Sequence, residues 1–314
     1  MLISYIIPVH NSELTLQACL DSFFLQTDQE EDELVLVIDG EDQEASFKIA
    51  SAYQEKHPNL QIIYPKQRMG AFHTRIEGIK HAQGEFIGFI DSDDTLPEGC
   101  LSTLHRKIKE ADVDVFNFSF YVKKKKSGHK NAFTAKERAL SQKEAFNYLM
   151  QDKAIRGFLW TKIYHASFLK GFTPLAMQGN DALFEDVLFN AHAFAKAKTF
   201  YYTNAIFYNY HQVGMATAVR KSRTNRTMYH LATFASIRMF LEKNGMKDLL
   251  ECFYKSKGRA YWSIWYDLIQ DKKFGLDKAV RKRLKACCKL IFDPSKSLQI
   301  SPLYKEFIDP SLLK

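Results

Sequence analysis

The segment GEFIGFIDSDDT, residues 84–95, closes an apolar run with three crowded carboxylates, Asp91, Asp93 and Asp94. Carboxylates this close repel one another and each resists desolvation, so the group needs solvent, hydrogen-bond donors or a cation as compensation. A solvated turn would supply the first, and Asp94-Thr95 ahead of Pro97 also suits the start of a helix. A second acidic pair, Glu185 and Asp186, precedes Val187, Leu188 and Phe189, which read as a continuing helix. Both acids then fall in its first turn, where the helix dipole favours negative charge whether or not they do chemistry.

The elements that must hold these acids follow from hydrophobic period. Residues 2–9 read as a strand, and the following segment has Leu14, Ala18, Leu20 and Leu25 near one helical face, with Ser12 as its cap. Residues 34–38 form a second strand, 43–56 a helix ended by His57-Pro58, 60–64 a third strand, 70–82 a helix and 85–90 a fourth strand. Such alternation of continuously apolar strands with helices predicts a mainly parallel sheet covered on both faces, with ligands at the carboxyl ends of the strands. The polar groups standing just after strands are His10-Asn11, Asp39-Gly40-Glu41-Asp42 and Asp91 to Asp94, so all share one edge. A turn-only reading leaves that coincidence unexplained.

Further along, residues 113–122 read as a strand and 123–130 as a basic hairpin or loop. Residues 141–170 read as helical, turning strand-like around 160–164, and 207–211 as a late strand. From about Arg220 the apolar residues fall at helical spacing among lysines and arginines, and this tail is expected to pack on the core. At 314 residues, 46% hydrophobic and 25% charged, the chain can bury a substantial globular core. The net charge of +8 indicates an anionic partner without choosing among nucleic acid, phosphorylated metabolite and membrane. No apolar run approaches the roughly 18 to 20 residues of a spanning helix, and the start reads as a strand rather than a signal, so a cytoplasmic protein is expected. Cys19, Cys100, Cys252, Cys287 and Cys288 are odd in number and form no CxxC pair, which suits free thiols rather than disulfides or zinc.

Six ordered motifs carry a family resemblance. SYIIPVHNSELTLQACLDSFFLQT, LVLVIDGED, MGAFHTRIEGIKHAQGEFIGFIDSDD, LWTKIY, FEDVLF and YNYHQVGM together resemble the family 2 inverting glycosyltransferases of bacterial polysaccharide and lipooligosaccharide type, over roughly residues 1–215. The resemblance implies the GT-A fold, with a catalytic domain at 1–215 (nucleotide-binding half 1–120, acceptor half 121–215) and a C-terminal helical region at 216–314. It implies transfer of a hexosyl or N-acetylhexosaminyl group from a nucleoside-diphosphate sugar, expected to be a UDP-sugar, to a glycan or lipid-linked glycan acceptor. Two positions depart from the pattern: Ile38 replaces the first acid of the second-strand Asp-Asp-Gly motif, and Ile76 the Asn after Arg75. The first puts the identity of the nucleotide in question.

Under this resemblance Asp93 is the direct ligand of Mg²⁺ or Mn²⁺, a hard cation that needs only one or two protein carboxylates besides phosphate and water. Asp91 positions the ribose or a metal-bound water, Asp94 contacts the sugar, and Ser92 lies with them. Asp39 touches base or ribose, Pro8, Val9 and Asn11 wall the nucleotide pocket, and Arg75 faces the nucleotide or solvent. Asp186, ahead of Glu185, takes the acceptor hydroxyl proton. His211 either completes the metal shell or is structural, standing where the family often has Arg. Trp160 and Lys162 line the acceptor or sugar pocket or pack in the core.

Rival readings fit less well. The positive charge concentrates in 123–130 and the tail rather than on a recognition helix, against nucleic acid. A nucleotidyltransferase usually carries a glycine-rich loop after its first strand, and PVHNSELT has no glycine. Intact Asp91, Asp93 and Asp186 speak against an inactive carbohydrate-binding relative. In the tail, Tyr261, Trp262, Ile264, Trp265, Leu268 and Ile269 precede a basic run, so the helices either pack their apolar stripe inward or form a salt-sensitive anchor to anionic membrane centred on Arg281, Lys282, Arg283 and Lys285.

Overall fold

The computed structural model describes residues 2–26, 28–65, 67–124, 128–131, 136–170, 184–212, 226–273, 277–296 and 298. The chain divides into two compact units: Met1–Ser141 with Phe158–Thr173 and Ala197–Gly214, and Gln142–Gly157 with Pro174–Lys196 and Met215–Lys314.

The first unit is built on β1 (Ile3–Val9), β2 (Glu33–Ile38), β3 (Leu60–Ile63), β4 (Phe86–Phe89), β5 (Val115–Lys123), β6 (Gly128–Asn131), β7 (Arg138–Ser141), β8 (Lys162–His165) and β9 (Thr199–His211). Their order is β3-β2-β1-β4-β8-β5-β9-β7, with β6 paired to β5. The pairs β3·β2, β2·β1 and β1·β4 are parallel. Beyond β4 the sheet is mixed: β8 is antiparallel to both β4 and β5, and β9 is parallel to β5 and antiparallel to β7. Every residue of β2 is buried, as a parallel strand covered on both faces requires.

Helices α1 (Leu16–Phe24), α2 (Glu44–Gln54), α3 (Ala71–His81) and α4 (Cys100–Ala111) alternate with the parallel strands. In α4 the buried residues Cys100, Leu101, Leu104, His105 and Ile108 repeat at helical spacing, forming one buried stripe that is apolar except for His105, whose Nε2 lies 2.8 Å from Asp32 Oδ2. Helix α3 packs on β1 and β2, and Gly78 permits the approach, since a Cβ there would stand 2.4 Å from Ile6 Cγ2. The predicted start of α1 is corrected: Thr15 precedes the helix, while the Ser12 hydroxyl meets that of Ser92 at 2.6 Å. The buried face is consequently Leu16, Cys19, Leu20 and Phe23, leaving Leu14 and Leu25 exposed.

The helical reading of 141–170 holds for α5 (Gln142–Met150) and the short α6 (Ala166–Leu169), which bracket irregular chain, a 3-10 turn at Leu159–Thr161 and β8. The predicted late strand is the end of the longer β9. Strands β5 and β6 form the predicted basic hairpin, whose residues 125–127 lie outside the described residues.

The second unit is helical: α5, α7 (Glu185–Lys196), α8 (Arg226–Lys243), α9 (Lys247–Lys255), α10 (Lys257–Lys273) and α11 (Lys278–Ile291). The tail helices thus cluster with α5 and α7, two segments assigned from sequence to the acceptor half. Arg238, 1% exposed, knits the unit together. Its guanidinium donates to the carbonyls of Leu290, Ile291, Asp293 and Lys296 at 2.5–3.1 Å and to Glu242 Oε1 at 2.7 Å. These include carbonyls of the last turn of α11, of which that of Leu290 also accepts the Asp293 N–H at 3.2 Å. All five cysteines are free and buried. Desolvation pushes the thiols of Cys100 and Cys288 up to about 12 and raises that of Cys19 further. Among the described residues no helix is long and apolar enough to cross a membrane.

Candidate active site

The loops that follow β1, β2 and β4 meet at one edge of the sheet, as their parallel registers require. His10 Nδ1 lies 2.9 Å from the Asp39 carbonyl oxygen. Asn11, in the left-handed region at φ 52°, donates its N–H to Gln43 Oε1 (2.7 Å), and Gln43 Nε2 donates back to Asn11 Oδ1 (3.1 Å). Pro8 is half-buried and Val9 buried beside this exposed Asn11. Asp39 is 3% exposed, and its oxygens accept the N–H groups of Met69 (2.6 Å) and Gly70 (2.9 Å). Gly70, at φ 80°, is the residue that turns the chain into α3, a conformation glycine adopts without a Cβ penalty. Asp39, expected at the base or ribose, therefore holds the loop that starts α3.

One ligand atom each of Asp91, Asp93 and Asp94 lies within 4.8 Å of the others. Their surroundings separate them. Asp91 Oδ1 accepts Arg75 Nη2 at 2.8 Å, so Arg75, 6% exposed on α3, faces the acidic group rather than solvent. Ser92 is buried and held by Ser12. Asp93 is exposed, and its carboxyl is raised by partial desolvation and then by the charge of Asp91. Asp94 is 1% exposed; it accepts the Tyr208 hydroxyl at 2.8 Å and the His211 N–H at 2.7 Å. Burial, then the charge of Asp91, pushes Asp94 up to about 8 against the lowering effect of those two hydrogen bonds. Asp94, expected at the sugar, thus turns into the protein toward β9. The donor set is all carboxylate oxygen and carries more negative charge than Arg75 offsets, so it suits a hard divalent cation.

The acidic group does not include His211. Its Nε2 lies 2.8 Å from Thr95 Oγ1, its backbone rather than its ring serves Asp94, and desolvation and Lys123 lower its pKa. Of the two roles expected for His211, these contacts favour the structural one. Trp160 is likewise core: it is 3% exposed and stacks on Tyr208 (4.4 Å), Phe158 (4.8 Å) and Tyr210 (5.4 Å). Lys162 is fully buried, donating to the Phe158 carbonyl (2.6 Å) and Thr161 Oγ1 (3.0 Å). Tyr208, Gln43 and Ser12 are the positioning residues that sequence reasoning missed. Tyr208 accepts the Asp91 N–H (3.0 Å) while donating to Asp94, so one hydroxyl clamps the acidic turn. The only sequence signal was that Tyr208 and Tyr210 share one face of a strand.

Within the second unit, Glu185 and Asp186 occupy the first turn of α7, both partly exposed. Phe184 precedes them at φ 66°, costly for a bulky residue, and its carbonyl accepts the N–H groups of Val187 and Leu188 at 3.1 and 3.3 Å. Its ring stacks on His230 at 4.1 Å. Asn190 Nδ2 donates to the Asp186 carbonyl (2.8 Å) and to that of Gly157 (2.6 Å), fixing the turn. The start of the GNDALFEDVLFN motif, residues 179–183, lies outside the described residues.

An α/β sheet, parallel through its first four strands, with an acidic turn after the fourth defines a class, and the family model for glycosyl transferase family 2 matches residues 4–169. The chain belongs to that family and is a glycosyltransferase. Glycosyltransferase EpsH of Bacillus subtilis is 28% identical over 247 residues, 77% of this chain and 70% of that one. The cholesterol galactosyltransferase of Borreliella burgdorferi is 26% identical over 271 residues, 81% of this chain and 71% of that one. Among solved structures, S. aureus TarS 1-349 in complex with UDP-GlcNAc aligns with a TM-score of 0.60 at 18% identity, covering 93% of this chain and 89% of that one. That likeness establishes the GT-A fold.

Proposed function

We propose that the chain transfers a hexosyl or N-acetylhexosaminyl group, with inversion, from a UDP-sugar to a glycan or lipid-linked glycan in surface-polysaccharide synthesis. The observation that carries this reading is the three-carboxylate group at the ends of parallel strands, beside a loop wall of Pro8, Val9 and Asn11 and a cationic Arg75. The UDP-GlcNAc complex of the TarS neighbour supports the nucleotide, and the sterol named for the Borreliella relative supports a lipid-borne acceptor. Residues 1–215 would form the catalytic domain, and the free thiols suit the cytoplasm.

Asp93, the most exposed of the three acids, would hold Mg²⁺ or Mn²⁺, with Asp91 placed at the ribose or a metal-bound water. Such an ion offsets the charge that builds on a diphosphate leaving group. Asp39 and Ser92 hold the nucleotide loops in place. Asp186 accepts the proton of the acceptor hydroxyl as that oxygen bonds to the anomeric carbon; the bond from that carbon to the diphosphate oxygen breaks, and its electron pair leaves with the nucleotide. Glu185 is the neighbouring acid of the same turn.

A panel of UDP-, GDP- and dTDP-sugars tests the reading through thermal shift and donor hydrolysis, each with Mn²⁺, Mg²⁺ and chelator. Stabilisation by UDP-sugars and ion-dependent hydrolysis are expected. Undiminished hydrolysis in chelator would reject the metal role, and stabilisation by GDP- but not UDP-sugars would reject the nucleotide.

A further inference from the structure

Trp262, Trp265, Tyr266 and Ile269 follow the i, i+3, i+4, i+7 spacing that normally marks the buried stripe of a helix. On α10 this stripe is the outward one, with exposures of 62%, 50%, 50% and 43%, while Ala260 and Ile264 face inward. Four of the seven exposed large apolar side chains among the described residues thus lie on one helix face.

Cations frame it. Arg259 stands 5.3 Å from the ring of Trp262, and Lys285, on the neighbouring α11, stands 3.8 Å from that of Trp265. A cavity of about 810 Å³ opens beside them, lined by Trp265, Ile269, Lys278, Arg281, Lys282 and Lys285. Among the described residues its one carboxylate, Asp277, caps α11 by accepting the N–H groups of Ala279 (2.7 Å) and Val280 (3.3 Å). The Nε of Arg281 is buried with no hydrogen-bond partner. Arg283, which the sequence grouped with these cations, does not line the cavity.

We propose that this face of α10 and α11 docks on an anionic lipid bilayer. Tryptophan and tyrosine are the side chains that settle at a membrane–water boundary, with an apolar body toward the acyl chains and a polar edge toward the headgroups. Lysine and arginine beside them meet the lipid phosphates, which also complement the cavity's charge. A second copy of this chain fits poorly, because a two-fold contact would press the same cations together. A protein interface is also disfavoured by the lysines, which are depleted from interface cores. The proposal stands apart from the sugar-transfer reading, since docking requires neither donor nor acceptor.

Co-sedimentation of the full chain tests it, with vesicles of phosphatidylcholine alone and with about one-third phosphatidylglycerol added. Binding is expected only to the anionic vesicles, at low salt, with release at high salt. Each cation removed lowers partitioning roughly five-fold, so Arg281→Gln, Lys282→Gln and Lys285→Gln together lower it roughly a hundred-fold. Trp160 is buried, so of the three tryptophans only Trp262 and Trp265 can respond, and their fluorescence moves to the blue on docking. Trp262→Ser with Trp265→Ser removes that shift and weakens binding, with the fold checked by circular dichroism. Failure to bind anionic vesicles at low salt, or unchanged binding by the triple variant, overturns the proposal. A concentration-dependent blue shift without vesicles overturns it in favour of a protein interface.

Discussion

Chemically similar carboxylates are given different tasks by their neighbours. Asp39 is enclosed by backbone donors, Asp94 by Tyr208 and a backbone N–H, and Asp91 by Arg75, which leaves Asp93 facing outward. Replacing Asp93 by Ala should therefore abolish transfer, scored as product formed, while the melting temperature does not fall, because a repulsive partner of Asp91 is removed. A variant that melts lower and keeps its turnover would reverse that assignment. Asp186→Asn should cut turnover by roughly 10² to 10⁴-fold with donor affinity retained, as for loss of a general base. The bond from Asn190 to the Asp186 carbonyl does not depend on the side chain that is changed. Steady-state kinetics beside donor titration separates the two effects. The acids themselves were legible, because a polar run after a strand is a local pattern. Their partners were not: Ser12 reaches Ser92, and Tyr208 reaches Asp94, only through the folded sheet.

Elements were legible where period and burial agree and were misread where tertiary contacts overrule them. Strands β1 to β4 and helices α2 and α3 follow directly from apolar runs and spacing. The face of α1 did not, because Ser12 is engaged with Ser92 and the helix begins later, rotating Leu14 and Leu25 outward. Strand β7 escaped because its short RALS sequence is exposed at three of four positions and leaves little apolar signal. The outward aromatic stripe of α10 obeys the rule for a buried face and violates its meaning. Helix α3 offers the sharpest test of packing. Gly78→Ala gains helix propensity of up to about 1 kcal/mol, yet must displace the Ile6 side chain or the helix itself. A net loss of about 1–2 kcal/mol is expected from chemical denaturation, together with weaker donor binding, because Arg75 rides on the same helix. Unchanged stability would show that Ile6 yields freely.

The whole molecule combines a sheet unit that carries the acidic turn and a helical unit that carries Asp186 and the aromatic face. Acid should loosen the helical unit first through His192. This histidine is 1% exposed against Phe240, and desolvation, then the charge of Lys196, pushes it down to about 4. In the unfolded chain it takes up a proton below about 6.5, whereas the folded protein refuses one until about 4. Its contribution is thus intact above the higher value and is lost as pH falls through that window, by about 3 kcal/mol. His192→Phe should flatten the dependence of melting temperature on pH between those limits, and an unaltered slope would place the acid sensitivity elsewhere.

The five buried thiols give the protein internal reporters of its own opening. Cys19 and Cys100 belong to the sheet unit, and Cys252, Cys287 and Cys288 to the helical one. Burial that holds such thiols protonated also denies them to an alkylating reagent, which attacks the thiolate. Under native conditions each cysteine then reacts only as fast as its surroundings open. Mass spectrometry of the alkylated peptides would time the two units separately, with no residue introduced for the purpose. The same enclosure leaves the surface available for a single engineered cysteine, so a probe could be placed beside the acidic turn or the aromatic face without removing the native five.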